Sequence, residues 1–175
     1  MSDEALFLLV EDSTDDVLLI RRAFQKANIA NPLHVVTSGE EAILYLAGEG
    51  PYTNREEFPL PAVILLDLKL TGKDGFEVLD WIRSQPGLSR LRVIVLTASD
   101  AMRDADHAYK LGANSFLTKP VQLERLTEMM QVLKGYWIWH DSAPTATRPP
   151  PAKKSKARIK SSGGQDSKPK PNNGG

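Results

Sequence analysis

Four short apolar runs in this chain each stop at a polar residue that suits one site for phosphoryl transfer. Leu6-Phe7-Leu8-Leu9-Val10 runs into Glu11 and Asp12, and Val63-Ile64-Leu65-Leu66 runs into Asp67. Val93-Ile94-Val95-Leu96 ends in Thr97, and Ser115-Phe116-Leu117-Thr118 runs into Lys119-Pro120. An aspartate at a strand end can attack phosphorus and form an acyl phosphate. Two adjacent acids at the end of a buried strand repel each other unless a cation joins them. Mg²⁺ suits carboxylate and carbonyl oxygens, and it lets an anionic phosphoryl group approach an anionic Asp67. The Lys119 ammonium can pair with Asp67 at rest and with a phosphoryl oxygen afterwards. Pro120 restricts the backbone beside it and permits a cis bond that would aim the lysine. Thr97 offers a hydroxyl to the same oxygens, and Ala98 leaves room for the group. Singly, each residue has a plainer reading: a helix cap for the acids, solvated surface for Lys119, an ordinary strand threonine for Thr97. Their joint spacing is what carries the argument.

The elements that would position them alternate in period. Ala5 to Val10 is a nearly pure apolar run, as in a strand buried on both faces. Ser13-Thr14-Asp15-Asp16 reads as a helix start with a hydroxyl cap and acids in the first turn, and Val17, Ile20, Phe24 and Ala27 continue at helical spacing. Pro32 to Thr37 is a second strand. Ser38-Gly39-Glu40-Glu41 has capping-box spacing and opens a helix that ends at Gly48. Gly50 to Pro61, with three prolines, is a loop that is long for an α/β connection. Strands at 62–66, 92–96 and 114–118 then alternate with helices at 75–83 and 100–111. Leu123, Leu126, Met130, Leu133 and Trp137 mark an amphipathic final helix. Five βα repeats with right-handed crossovers predict a doubly wound parallel sheet of flavodoxin-like order 2-1-3-4-5. Such sheets place their ligands at the carboxyl edge, where all the residues above would meet.

Composition narrows the remaining choices. With no cysteine there is no disulfide framework, thiolate metal site or cysteine nucleophile. The acidic start Met1-Ser2-Asp3-Glu4 and the short apolar run after it do not fit a signal peptide. No run approaches the ~20 apolar residues of a membrane span, so the expected location is the cytoplasm. The net charge of zero hides an asymmetry. From Ala143 to Gly175 there are eight bases and one acid, a surplus of +7, which leaves 14 bases and 21 acids in the rest of the chain. An acidic folded body over residues 1–141 is therefore expected to carry a basic tail over 142–175. That tail is rich in Pro, Ser, Lys and Gly and buries too little to order itself. It has no interleaved aromatics, so no specific nucleic-acid site is indicated.

On these residues the chain resembles the receiver domain of the two-component response regulators. The match runs from about Leu6 to Lys134. It rests on Glu11-Asp12, the segment Asp67-Leu68-Lys69-Leu70-Thr71-Gly72-Lys73-Asp74-Gly75, Thr97-Ala98 and Phe116-Leu117-Thr118-Lys119-Pro120. The proline-bearing loop before the central strand and the Tyr136-Trp137 ending are more narrowly similar to the small regulators paired with bacterial phytochromes. The resemblance implies that Asp67 is the phosphoacceptor. It implies that Asp12, Asp67 and the main-chain carbonyl of Lys69 bind Mg²⁺ directly, with Glu11 acting through water. Thr97 and Lys119 would bind the phosphoryl oxygens, and Phe116 would turn inward as Thr97 moves. Thr71 stands where the family usually has proline, which is expected to loosen the loop after Asp67. Lys69 puts a positive side chain beside the site and is expected to alter the lifetime of the acyl phosphate.

The expected function is that of a single-domain response regulator served by a sensor histidine kinase, a phytochrome in the narrower resemblance. Its chemistry would be limited to self-dephosphorylation. Tyr136, Trp137, Ile138 and Trp139 form an apolar group near the end of the final helix, which suggests a homodimer through that helix. Three other readings compete. An aspartate-nucleophile phosphatase would place an acid two residues after Asp67, where Lys69 stands. A flavin-binding protein of the same fold would want a phosphate-cradling loop after the first strand, where Glu11 to Asp16 is acidic. A non-phosphorylated receiver-like interaction module would not need the full set of Glu11, Asp12, Asp67, Thr97 and Lys119.

Overall fold

The computed structural model describes residues 5–98, 102–119 and 122–138, the last three by backbone alone. The predicted basic tail, the Lys119–Pro120 peptide and the aromatic side chains ending the final helix lie outside the described residues. Five strands form one parallel sheet: β1 (Phe7–Val10), β2 (Leu33–Val36), β3 (Val63–Leu66), β4 (Arg92–Thr97) and β5 (Ser115–Thr118). Their order is β2-β1-β3-β4-β5, as the alternation predicts. Between and after them run α1 (Thr14–Lys26), α2 (Gly39–Ala47), α3 (Gly75–Ser84), α4 (Met102–Lys110) and α5 (Leu123–Ile138).

The apolar runs alternate beneath their apparent continuity, because successive strand side chains leave by opposite faces. Leu8, Val10, Ile64, Leu66, Val93 and Val95 meet α2 and α3 on one face. Phe7, Leu9, Val63, Leu65, Ile94 and Leu96 meet α1 and α5 on the other, against Ile20, Ala23, Phe24, Leu126 and Met130. Both faces are covered, so the three central strands carry almost no polar residue.

Register brings the strand ends level. Val10 lies opposite both Val36 and Leu66, and Leu66 lies opposite Val95. The pairing continues one step beyond the strands. Glu11 N–H donates to the Val36 carbonyl (3.0 Å), Asp67 N–H to that of Val10 (3.1 Å) and Lys119 N–H to that of Thr97 (2.7 Å). The residues that end the strands are thus fixed to the sheet by the backbone itself.

Two devices stabilise the periphery. The long connection from α2 to β3 is folded around one 3-10 turn, Gly50–Tyr52. The Arg55 guanidinium donates to the carbonyls of Tyr45 (2.8 Å), Leu46 (2.7 Å) and Phe58 (3.1 Å), while the rings of His34, Tyr45, Tyr52 and Phe58 pack together. Burial holds the His34 imidazole below its usual pKa. Arg83, in the last turn of α3, ties the far end of α4. It donates to the carbonyl of Gly112 through Nε (2.9 Å) and Nη2 (2.8 Å), to that of Leu91 (2.8 Å) and to Asn114 Oδ1 (3.1 Å).

Local capping differs from expectation in one detail. Ser38 caps α2 through the Glu41 N–H (3.1 Å), but the Glu41 carboxylate takes the Thr37 N–H (2.7 Å) and the Tyr52 hydroxyl (2.7 Å). The complete capping box lies at α3 instead, between Asp74 and Glu77.

Candidate functional site

Among the described residues, only Glu11, Asp67 and Thr97 are polar and buried, at 1%, 5% and 0% exposure. All three sit at the carboxyl ends of β1, β3 and β4. Lys119 follows β5 and reaches back across the sheet edge. Its Nζ donates to Asp67 Oδ2 (2.7 Å), to Asp16 Oδ2 (2.8 Å) and to Glu11 Oε2. Burial alone would lower the lysine's pKa, but the bonds to Asp16, Asp67 and Glu11 outweigh it and hold the ammonium above its ordinary 10.5. Burial pushes Glu11 above its ordinary 4.5, with Lys119 opposing the rise.

Carboxylate oxygens of Glu11, Asp16 and Asp67 lie within 4.8 Å of one another. Three anions around one ammonium leave the group short of positive charge. That deficit, together with an all-oxygen donor set, suits a hard divalent cation. Asp16 is the member that sequence reasoning missed. It looked like one of several first-turn acids, placed to complement the helix N-terminus. Ser13 caps the helix by accepting from the Asp16 N–H (3.3 Å), and no local pattern separates Asp16 from its neighbour Asp15.

Asp12 is not among the converging acids. Its Oδ2 accepts from the Thr71 hydroxyl (2.6 Å) and the Thr71 N–H (2.8 Å). These bonds, the hydroxyl first, hold its carboxyl below the usual range. Thr71 therefore does not loosen the loop after Asp67; it fastens that loop to β1. The same loop is held elsewhere, by Lys73 N–H to Glu40 Oε1 (2.9 Å), by the α3 capping box and by Gly75 N–H to the Leu68 carbonyl (3.0 Å). Lys69 N–H donates to Asp67 Oδ1 (3.0 Å), so both oxygens of Asp67 are engaged, one by backbone and one by Lys119. The Lys69 side chain is exposed.

Gly75 is where the loop passes closest to Asp67. A Cβ there would meet the Asp67 carbonyl oxygen at 2.2 Å and Leu68 Cα at 2.6 Å, both unyielding backbone. Gly75→Ala is expected to lower unfolding free energy by about 1–3 kcal/mol, read as a shifted midpoint in chemical denaturation. An unchanged midpoint would refute that close approach.

The two remaining candidates lie on one face of the β4–β5 pair. Thr97 is fully buried, two residues beyond Val95, and Val95 pairs with Phe116. Phe116 is half-buried against the α2–α3 core, and its N–H donates to the Tyr109 hydroxyl (3.1 Å). That bond satisfies a backbone donor on the outer edge of β5, the end strand of the sheet among the described residues.

Comparison with known proteins agrees with this geometry. The family model for the response regulator receiver domain matches residues 7–131. Response regulator Rcp1 of Synechocystis sp. is 38% identical over 150 residues, which span 83% of this chain and 100% of that protein. The crystal structure of the phosphorylated cyanobacterial phytochrome response regulator RcpA superimposes with a TM-score of 0.73 at 36% identity, over 81% of this chain and 99% of that one. The Mn²⁺-bound form of Rcp1 gives 0.68 at 38% identity, over 76% of this chain and 94% of that one.

Proposed function

Because this chain belongs to the response regulator receiver family, we propose that Asp67 accepts a phosphoryl group from a sensor histidine kinase and that the resulting acyl phosphate switches the surface of the domain. The observation that carries this is the Asp67–Lys119 pair at the sheet edge, backed by Glu11 and Asp16. In the transfer, an Asp67 carboxylate oxygen bonds to phosphorus as the bond from phosphorus to the kinase histidine breaks. Lys119 then exchanges its carboxylate partner for a phosphoryl oxygen without leaving its place. The Thr97 hydroxyl takes a second phosphoryl oxygen.

Mg²⁺ fits this donor set, since the acids outnumber the ammonium three to one. Asp12, Asp67 and the Lys69 carbonyl would hold it, Glu11 would act through water, and Asp16 adds a carboxylate at the same edge. Bound there, it would offset the charge that accumulates when a phosphoryl dianion meets these carboxylates. Self-dephosphorylation is the only hydrolysis assigned to the domain.

The switch runs through Thr97 and Phe116, which share one face of the β4–β5 pair. A phytochrome is the kinase we favour, on the likeness to RcpA, and the cytoplasm is the matching location. Among the described residues no helix is long and apolar enough to cross a membrane. The output we favour is a homodimer through α5, whose Val132 is 72% exposed. Sedimentation of the full chain, with and without a phosphoryl mimic, is expected to reveal a dimer in one state; a monomer in both would exclude it.

Intact-protein mass after incubation with acetyl phosphate tests the function. A gain of one phosphoryl group that requires Mg²⁺ is expected. No gain, either from acetyl phosphate or from a phosphorylated histidine kinase, would overturn the reading.

A further inference from the structure

Asp12 and Thr71 stand 59 positions apart, yet two donors of Thr71 converge on one oxygen of Asp12, Oδ2. Glu11, Asp16 and Asp67 gather within 4.8 Å, and Asp12 is not with them. Asp12 can enter a shared cation shell with Asp67 only if its carboxylate turns away from Thr71 or carries the loop along. The loop is not free to follow. Glu40 holds Lys73 N–H, the Asp74–Glu77 box holds the start of α3, and Gly75 is wedged against the Asp67 carbonyl.

We infer that Thr71 is a positioning residue that restrains Asp12, so that binding a divalent cation must break the Thr71–Asp12 bonds. This rests on the cation site proposed above and adds a residue that sets its affinity. A proline at this position could supply neither donor, and a valine only the N–H. Hydrogen bonds to an ionised carboxylate are among the stronger ones, so the restraint is large enough to measure. It also links the loop that contains Asp67 to cation occupancy: as the cation enters, Thr71 is released and the loop loses its tie to β1.

The test is Mg²⁺ titration of the full chain by calorimetry, together with the Thr71 amide resonance. Thr71→Val, which keeps the shape and loses the hydroxyl, is expected to bind Mg²⁺ roughly tenfold more tightly than wild type. Thr71→Ser, which keeps both donors, is expected to behave as wild type. In wild type the Thr71 amide shifts along the same isotherm as cation binding. Combining Thr71→Val with Asp12→Asn is expected to erase the gain. If Thr71→Val binds Mg²⁺ no more tightly than wild type while Asp67→Asn abolishes binding, the restraint is wrong and the cation site stands. If no variant and no wild-type protein binds Mg²⁺, both fall.

Discussion

Asp67→Asn is expected to abolish the Mg²⁺-dependent gain of one phosphoryl group from acetyl phosphate, a loss of at least about 10³-fold in rate. An amide oxygen is not a nucleophile toward phosphorus, and the neighbouring acids do not replace the carboxylate. Glu11 is buried and bonded to Lys119 and to the Ser13 N–H, while Asp16 approaches from a helix rather than from the central strand. The fold should survive the change. An asparagine can keep the Lys69 N–H bond at Oδ1, and Lys119 retains two carboxylates. One anion fewer in a cluster of three relieves repulsion, so the melting temperature is expected to hold or rise. A variant that still gained a phosphoryl group would move the acceptor away from Asp67.

Lys119→Met is expected to have the largest effect on stability. It keeps the aliphatic stem and removes the one ammonium among Glu11, Asp16 and Asp67. The lysine side chain is only 11% exposed and Glu11 only 1%, so this is a buried cluster rather than a surface ion pair. Removing one partner from such a group costs about 3–5 kcal/mol, mostly through the charge left without a partner. The cost depends on pH. Burial already raises Glu11 above 4.5 even with Lys119 opposing, and without the ammonium that opposition ends. A raised carboxyl binds its proton more tightly in the folded state, so stability falls as pH rises from about 4.5 through the folded value. The deficit of Lys119→Met relative to wild type is therefore expected to be smaller at pH 5 than at pH 8, and smaller again when Mg²⁺ is added to chelated protein. Chemical denaturation at both pH values measures it. An equal deficit throughout would mean that the lysine contributes packing alone.

Much of this site was legible because strands end where their apolar run ends. Glu11, Asp67 and Thr97 were each the first polar residue after such a run, Lys119 follows the polar end of its strand at Thr118, and a parallel sheet gathers strand ends at one edge. The order of the sheet followed from βα alternation for the same reason. What escaped were contacts fixed by side-chain direction. Asp16 belongs to a helix, and nothing in its spacing says that the first turn of α1 leans over the sheet edge toward Lys119. The engagement of Asp12 by Thr71 joins β1 to a loop more than fifty residues away, beyond the reach of local pattern. Similarly, the prolines of the α2–β3 connection suggested only irregularity, whereas an aromatic quartet and Arg55 give that segment a definite shape. The expectation for the final aromatic residues concerns side chains outside the described residues, so it stands as part of the dimer proposal.

The clamp of Arg83 on Gly112 has a mechanical consequence. It pins the end of α4 that lies far from the strand termini, at the turn of Gly112. A nine-residue helix spans about 13 Å, so in the proposed switch α4 would turn about its pinned end at Gly112. A displacement applied near Thr97 would then die away along the helix toward the pinned turn. The amplitude a partner would read is then expected to depend on its place along α4, larger at Met102 than at Lys110. Loosening the fulcrum, as Arg83→Ala would, flattens that gradient before it removes any chemistry from the site.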